Sequence, residues 1–168
     1  MNWSPGRCLN TGSLALIAFA AFALAAACVN VSVNTSETPS PVTEPGAYTR
    51  YFVEDAIVRY EDDGLDDTVA YYNTMASVDG DWYVFIADED GVLIAHATIP
   101  DNVGKPLSSD DFKGADGFHF GNALAAATED GDWVSYTYLN PNTGAEEQKH
   151  SWVVEKDGLI FGSGWYQR

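Results

Sequence analysis

The chain has only two cysteines, Cys8 and Cys28, and both lie near its start. Beyond Cys28 there is no thiol, which excludes disulfide staples and thiol chemistry from the rest of the chain. Stability there must come from packing, to which the plentiful aromatic residues contribute large buried areas. Basic side chains are scarce as well. Lys and Arg number 8 against 25 Asp and Glu, a net charge of -17. That balance argues against nucleic acid as a partner, because phosphates require basic surfaces. It implies a solvated acidic surface, with attraction of cations or basic partners as the sharper reading. The longest uncharged apolar run, Ser13 to Val29, falls short of the roughly 20 residues a membrane span needs. No second apolar segment and no internal repeat follow it.

What is present at the start is a secretory layout. Arg7 is the only charge ahead of the apolar run, which closes in Leu24-Ala25-Ala26-Ala27-Cys28. Small residues before a Cys resemble the lipobox of bacterial lipoproteins, cut before the Cys and lipidated on it. Ala25 stands where a lipobox usually has Leu. Residues 1–27 are therefore expected to be a signal peptide and Cys28 a lipidation site. Ordinary cleavage after Ala27 and an uncleaved anchor are the alternatives. All three place the working domain outside the cytoplasm; the lipoprotein reading puts it in a bacterial envelope, held to the membrane through the lipid anchor alone. Residues 28–45, rich in Ser, Thr and Pro from Asn30 on, read as a flexible tether. Residues 46–168 then form one domain with one core.

Val53, Ile57 and Tyr60, flanked by Phe52 and Ala56, share one face and predict a helix over 47–61. Leu65, Val69, Tyr72 and Ala76 predict a second helix over 65–76, with Asp66 and Asp67 suiting its dipole. Aromatic and β-branched residues over 81–86 and 92–96 predict a hairpin turning at Asp88-Glu89-Asp90-Gly91. The stretch 98–117 is a long irregular loop, of the kind that often carries function. A short helix over 122–129 and strands over 133–139, 148–154 and 159–166 complete the chain, with turns at Asn140-Pro141-Asn142-Thr143-Gly144 and Lys156-Asp157-Gly158. Tight turns make these strands antiparallel. The expected fold is α+β: helix packed on an antiparallel sheet of about five strands.

Several short stretches occur in one order: Trp82-Tyr83-Val84-Phe85, Asp90-Gly91 with Ala95-His96, Val103-Gly104, Trp133-Val134-Ser135-Tyr136, Asn140-Pro141, Lys149-His150-Ser151-Trp152 and Gly162-Ser163-Gly164-Trp165-Tyr166. Together, over about residues 46–167, they resemble single Cache domains, the extracytoplasmic sensor modules of chemoreceptors and sensor kinases. The resemblance implies a long N-terminal helix beside a PAS-like sheet, and a pocket on the sheet for a small molecule, often a short organic acid. Members usually continue into a membrane helix and a signalling part, whereas this sequence ends at Arg168. The expected role is thus a ligand-binding lipoprotein that passes its state to a partner, a membrane sensor kinase or chemoreceptor. The alternative is an interaction module of the envelope whose pocket no longer functions.

Lys149 stands out among candidate site residues. It shares a sheet face with Ser151 and Val153, and a buried Lys needs an anionic partner. In a sensor of this family that partner could be a ligand carboxylate; otherwise Lys149 is a rim residue paired with Glu146, Glu147 or another of the many acids. His96 ends a strand just before the long loop, placed either to donate to a bound oxygen or to hold the loop. Trp133 and Tyr136 point to opposite faces of one strand, so one faces helix and the other the pocket. Tyr83 and Tyr138 are further wall candidates, though large aromatics mostly fill cores. Gly162 and Gly164 predict a close backbone approach or a bulge. Catalysis is not expected. His96, His119 and His150 lack metal-ligand spacing, Asp62-Asp63 and Asp66-Asp67 read as a solvated helix cap, and Ser163 lacks a nucleophile-elbow context. No metal and no cofactor is implied.

Overall fold

Helix α1 spans Pro45–Asp63. Pro45 suits the first helical position, where its missing N–H costs no hydrogen bond. The helix ends at Gly64, whose φ of 82° is open to glycine, and α2 begins at once over Leu65–Tyr72. The sheet comprises β1 (Phe85–Ala87), β2 (Leu93–His96), β3 (Asp132–Leu139), β4 (Glu146–Lys156) and β5 (Leu159–Tyr166). A short helix α3, Phe120–Ala125, precedes β3. The structure is a computed structural model that describes residues 37–167. The expected signal segment, residues 1–27, and Cys28 lie outside the described residues. No helix among the described residues is long and apolar enough to cross a membrane.

All strand pairs are antiparallel, in the order β2-β1-β5-β4-β3. The last strand in sequence is therefore central. Cross-strand partners share a face, so Tyr136, Lys149 and Tyr166 lie in one row on one side. Trp133 and Trp152 lie on the other. Each face is covered by its own core. On one side α1 and α2 bury Val53, Ala56 and Tyr72 against Val84, Ile86 and Phe161. On the other, the 98–117 segment and α3 bring Leu107, Phe112, Phe120 and Leu124 down on Phe85, Tyr136 and Val153. The fold is the α+β arrangement expected, with a second cover over the pocket side.

Three boundaries differ from the periodicity. The second helix stops at Tyr72 because Asn73 is held elsewhere. Its amide donates to the carbonyl of Ile94 at 2.9 Å, and its Oδ1 accepts from the His96 N–H at 3.1 Å. Thr68 and Tyr72 are buried, whereas Leu65 and Ala76, the ends of the expected stripe, are exposed. β1 is short because Asp79 and Trp82 exchange backbone hydrogen bonds, each 2.9 Å, in a tight turn. α3 starts at Phe120 because the ring Nδ1 of His119 accepts from the Asn122 N–H. Ahead of α1, in the described part of the expected tether, the Glu44 N–H donates to the Ser40 carbonyl at 2.9 Å.

Candidate functional site

A small cavity lies between the sheet and the cover formed by 98–117 and α3. Tyr83, Phe85, Leu93, His96, Tyr136, Tyr138 and Lys149 form its sheet side, and Leu107, Phe112, Phe120 and Leu124 its cover. The space open to the centre of a water-sized sphere is about 20 Å³, room for one or two waters. In a chain this acidic, no Asp or Glu lines it. Lys149 is the one Lys or Arg that lines it.

Two glycines in β5 make room on this face, Gly164 for Lys149 and Gly162 for Phe85. A Cβ on Gly164 would lie 2.8 Å from Lys149 Cε and 2.6 Å from Ser151 Oγ; one on Gly162 would lie 2.2 Å from the Phe85 ring. The register through both is continuous. Of the two expectations, the close approach is therefore the one seen, without a bulge. Lys149 is 1% exposed. Its Nζ donates to Tyr83 Oη at 2.6 Å and lies 4.1 Å from the Tyr83 ring centre, with the rings of Tyr166, Tyr138 and Phe85 within 6 Å. No carboxylate reaches it among the described residues. Glu147 accepts instead from Asn140 Nδ2 and Thr143 Oγ1, at 2.9 and 2.7 Å, and Glu146 is exposed. The rim ion pair is thus ruled out by position. Burial alone lowers the lysine from 10.5 to about 7.

The hydroxyls around it are ordered in one direction. Tyr166 Oη donates to the Leu139 carbonyl at 3.0 Å, so Tyr83 Oη donates to Tyr166 at 3.3 Å and accepts from Lys149. Burial first, then the neighbouring Tyr166, pushes the Tyr83 hydroxyl well up, so it stays neutral. Tyr136 shares a hydrogen bond of 3.0 Å with Ser151 and stacks on Phe120 at 4.2 Å; burial raises it likewise. Tyr138 Oη accepts from Asn102 Nδ2 at 2.9 Å, which ties the cover to the sheet. His96 is buried, and its Nδ1 accepts from the Ile99 N–H at 3.1 Å. The ring proton therefore sits on Nε2. Burial, then the charge of Lys149, lowers His96 to about 3, so this ring is a neutral donor. The site as a whole presents one basic side chain among neutral hydrogen-bonding groups and apolar walls.

The family model of the Cache domain matches residues 69–168, more than half of the chain. The chain belongs to the Cache domain family. Among solved structures, this Cache domain is similar to a methyl-accepting chemotaxis protein from Vibrio parahaemolyticus RIMD 2210633. The identity is 18%, the coverage 74% of this chain and 90% of that one, and the TM-score 0.62. It is also similar to a Cache chemosensory domain described for carboxylic acid recognition, at 21% identity, 71% and 91% coverage and a TM-score of 0.56. The periplasmic sensor domain of a chemotaxis protein matches at 21% identity, 71% and 88% coverage and a TM-score of 0.52. At these identities the likeness speaks for the fold. No curated protein matches the sequence.

Within the Cache domain, Lys149, His96, Tyr83, Tyr136 and Tyr138 line one cavity. Ser151 sits behind Tyr136 as its hydrogen-bond partner. Trp133 does not join them. It lies on the helix face against Trp152, with the Arg50 guanidinium 5.7 Å from its ring, because odd positions of β3 point away from the cavity. His150 is on that same far side, where its Nδ1 lies 2.7 Å from Ser135 Oγ. The apolar cover residues Leu107, Phe112 and Phe120 escaped sequence reading. Their signal was isolated large apolar side chains in a polar, Gly- and Pro-rich stretch.

Proposed function

We propose that this Cache domain binds a small organic anion, a short carboxylate, with Lys149 as its charge anchor. His96 Nε2–H and the Tyr136 and Tyr138 hydroxyls supply hydrogen bonds, and Phe85 and Phe120 supply apolar wall. The observation that carries the reading is a fully buried lysine with no carboxylate partner, in a cavity no acidic residue lines. A buried charge is expensive until paired, so an incoming anion gains what the protein withholds. The solved Cache chemosensory domain described for carboxylic acid recognition supports the ligand class. A cavity of about 20 Å³ has room for one or two waters, so binding of a carboxylate requires outward movement of the 98–117 cover. The domain works outside the cytoplasm, lipid-anchored at Cys28, and reports occupancy to a membrane chemoreceptor or sensor kinase.

The test is thermal unfolding of the full chain, refolded to free it of carried-over ligand, against acetate, pyruvate, amino acids and amines. A ligand at 100 times its dissociation constant adds about 2.7 kcal/mol, a shift of several degrees. Shifts with monocarboxylates and none with amines are expected. The smallness of the cavity favours one alternative, an envelope interaction module whose pocket stays shut. The absence of any shift across the panel would select it.

A further inference from the structure

The four lysines of this chain fall into two kinds. Lys105 pairs with Asp111 at 3.4 Å, Lys113 with Asp110 at 2.5 Å and Lys156 with Glu61 at 2.7 Å, all in contact with solvent. Each faces a carboxylate partner. Lys149 has no such partner, is surrounded by aromatic rings, and has a phenolic hydroxyl 2.6 Å from its nitrogen. Resting on the anion-site reading above, we propose that Lys149 is also a nucleophile, which condenses reversibly with the carbonyl of a small 2-oxo acid or aldehyde.

The chemistry balances without an oxidant or reductant. The amine lone pair attacks the carbonyl carbon and the C–N bond forms while the C=O π pair moves to oxygen. That oxygen takes the proton released by nitrogen. The carbinolamine hydroxyl then leaves as water with a proton drawn from solvent, while the remaining N–H stays on nitrogen, so the C=N bond forms as a protonated imine. Tyr83 is placed to relay these protons. Its hydroxyl oxygen, 2.6 Å from the nitrogen, can take the proton that nitrogen releases while its own proton turns from Tyr166 to the carbonyl oxygen, without net change. Dry surroundings favour the neutral amine that attack requires, in keeping with the lowered proton affinity of Lys149. The protonated imine keeps a positive charge at the same place. The carboxylate of a 2-oxo acid would therefore sit beside its own counter-charge, with His96 Nε2–H as a further donor. A plain carboxylate uses the lysine only as a cation; a 2-oxo acid uses both of its properties.

Glyoxylate is the probe. The full chain is incubated at neutral pH with glyoxylate and cyanoborohydride, which reduces an imine to a stable secondary amine, and then peptide-mapped by mass spectrometry. The expected result is one carboxymethyl group on Lys149, formed ahead of Lys105, Lys113 and Lys156 and competed away by acetate. Lys149→Arg should lose that mark and keep a cation at the site. Saturable binding of acetate and glyoxylate with no mark at Lys149 beyond that on the three surface lysines overturns the nucleophile and leaves the anion site standing. Failure of both probes to bind, with no mark, overturns both. Because the map is made on the unaltered chain, the outcome does not depend on the variant folding.

Discussion

Replacing Lys149 with Met removes the charge and keeps most of the side chain's length. In the folded protein this lysine protonates at about 7, against 10.5 for the ordinary group. Above its folded value the folded state has shed a proton that the unfolded state still holds. Stability from this group therefore rises from about pH 7 toward 10.5, and the full penalty is present below pH 7. The penalty is about 5 kcal/mol at most. The variant loses the ring contacts and the Tyr83 hydrogen bond, worth about 2 kcal/mol together. A net gain of roughly 3 kcal/mol at pH 6 is expected, which raises Tm by about 10 °C for a domain of this size. Melts of both proteins at pH 6, 8 and 10 give the assay. The buried tyrosines pull the opposite way above pH 10, but they are common to both chains and cancel in the difference. The gap should be widest at pH 6 and close toward pH 10, while monocarboxylate binding is lost throughout. A variant less stable than wild type at pH 6, or two parallel profiles, would refute the unpaired buried cation.

His96 should stay neutral to about pH 3. Because its folded value is depressed, its stability contribution is whole above 6.5 and lost as pH falls toward 3; ring carbon shifts followed by NMR against pH should show no titration near 6.5. Gly164→Ala should cost about 1–3 kcal/mol by overpacking against Ser151 and Lys149, read by urea unfolding, and should weaken anion binding as well. Trp133→Ala should cost about 1 kcal/mol through the lost Arg50 and Trp152 contacts yet leave anion affinity unchanged by calorimetry, since it lies on the other face. A loss of affinity there would place the site on the wrong side of the sheet.

Much of this is legible in the sequence. Alternation put Lys149 and His150 on opposite faces, and likewise Trp133 and Tyr136, because a strand's period is two residues whatever its neighbours. Gly91 and Gly158 marked turns through their positive φ. The misplaced features were those decided by tertiary hydrogen bonds. The end of α2 depends on Asn73 reaching β2, and nothing in local periodicity reports that. Which face Trp133 took was left open because alternation supplies two sides but does not say which is covered by helix. The cover of the cavity was hidden because its apolar residues obey no period. They reach the sheet through turns such as Asp110–Phe112, and through Gly121, whose missing Cβ lets α3 rest on the Leu107 carbonyl.

The acid-free cavity lies beneath a cover whose Asp101, Asp110, Asp111 and Asp116 are exposed. Only Lys105 and Lys113 offset them there. An anion must cross this repulsive field before it meets the buried cation. Repulsion between exposed charges is screened beyond about 10 Å at 0.1 M salt, whereas the buried contact is hardly screened. Association should therefore speed up with added salt while dissociation holds steady, the reverse of electrostatic steering. The same field repels a dianion more strongly than a monoanion, so the surface sorts ligands by charge before the pocket sorts them by shape.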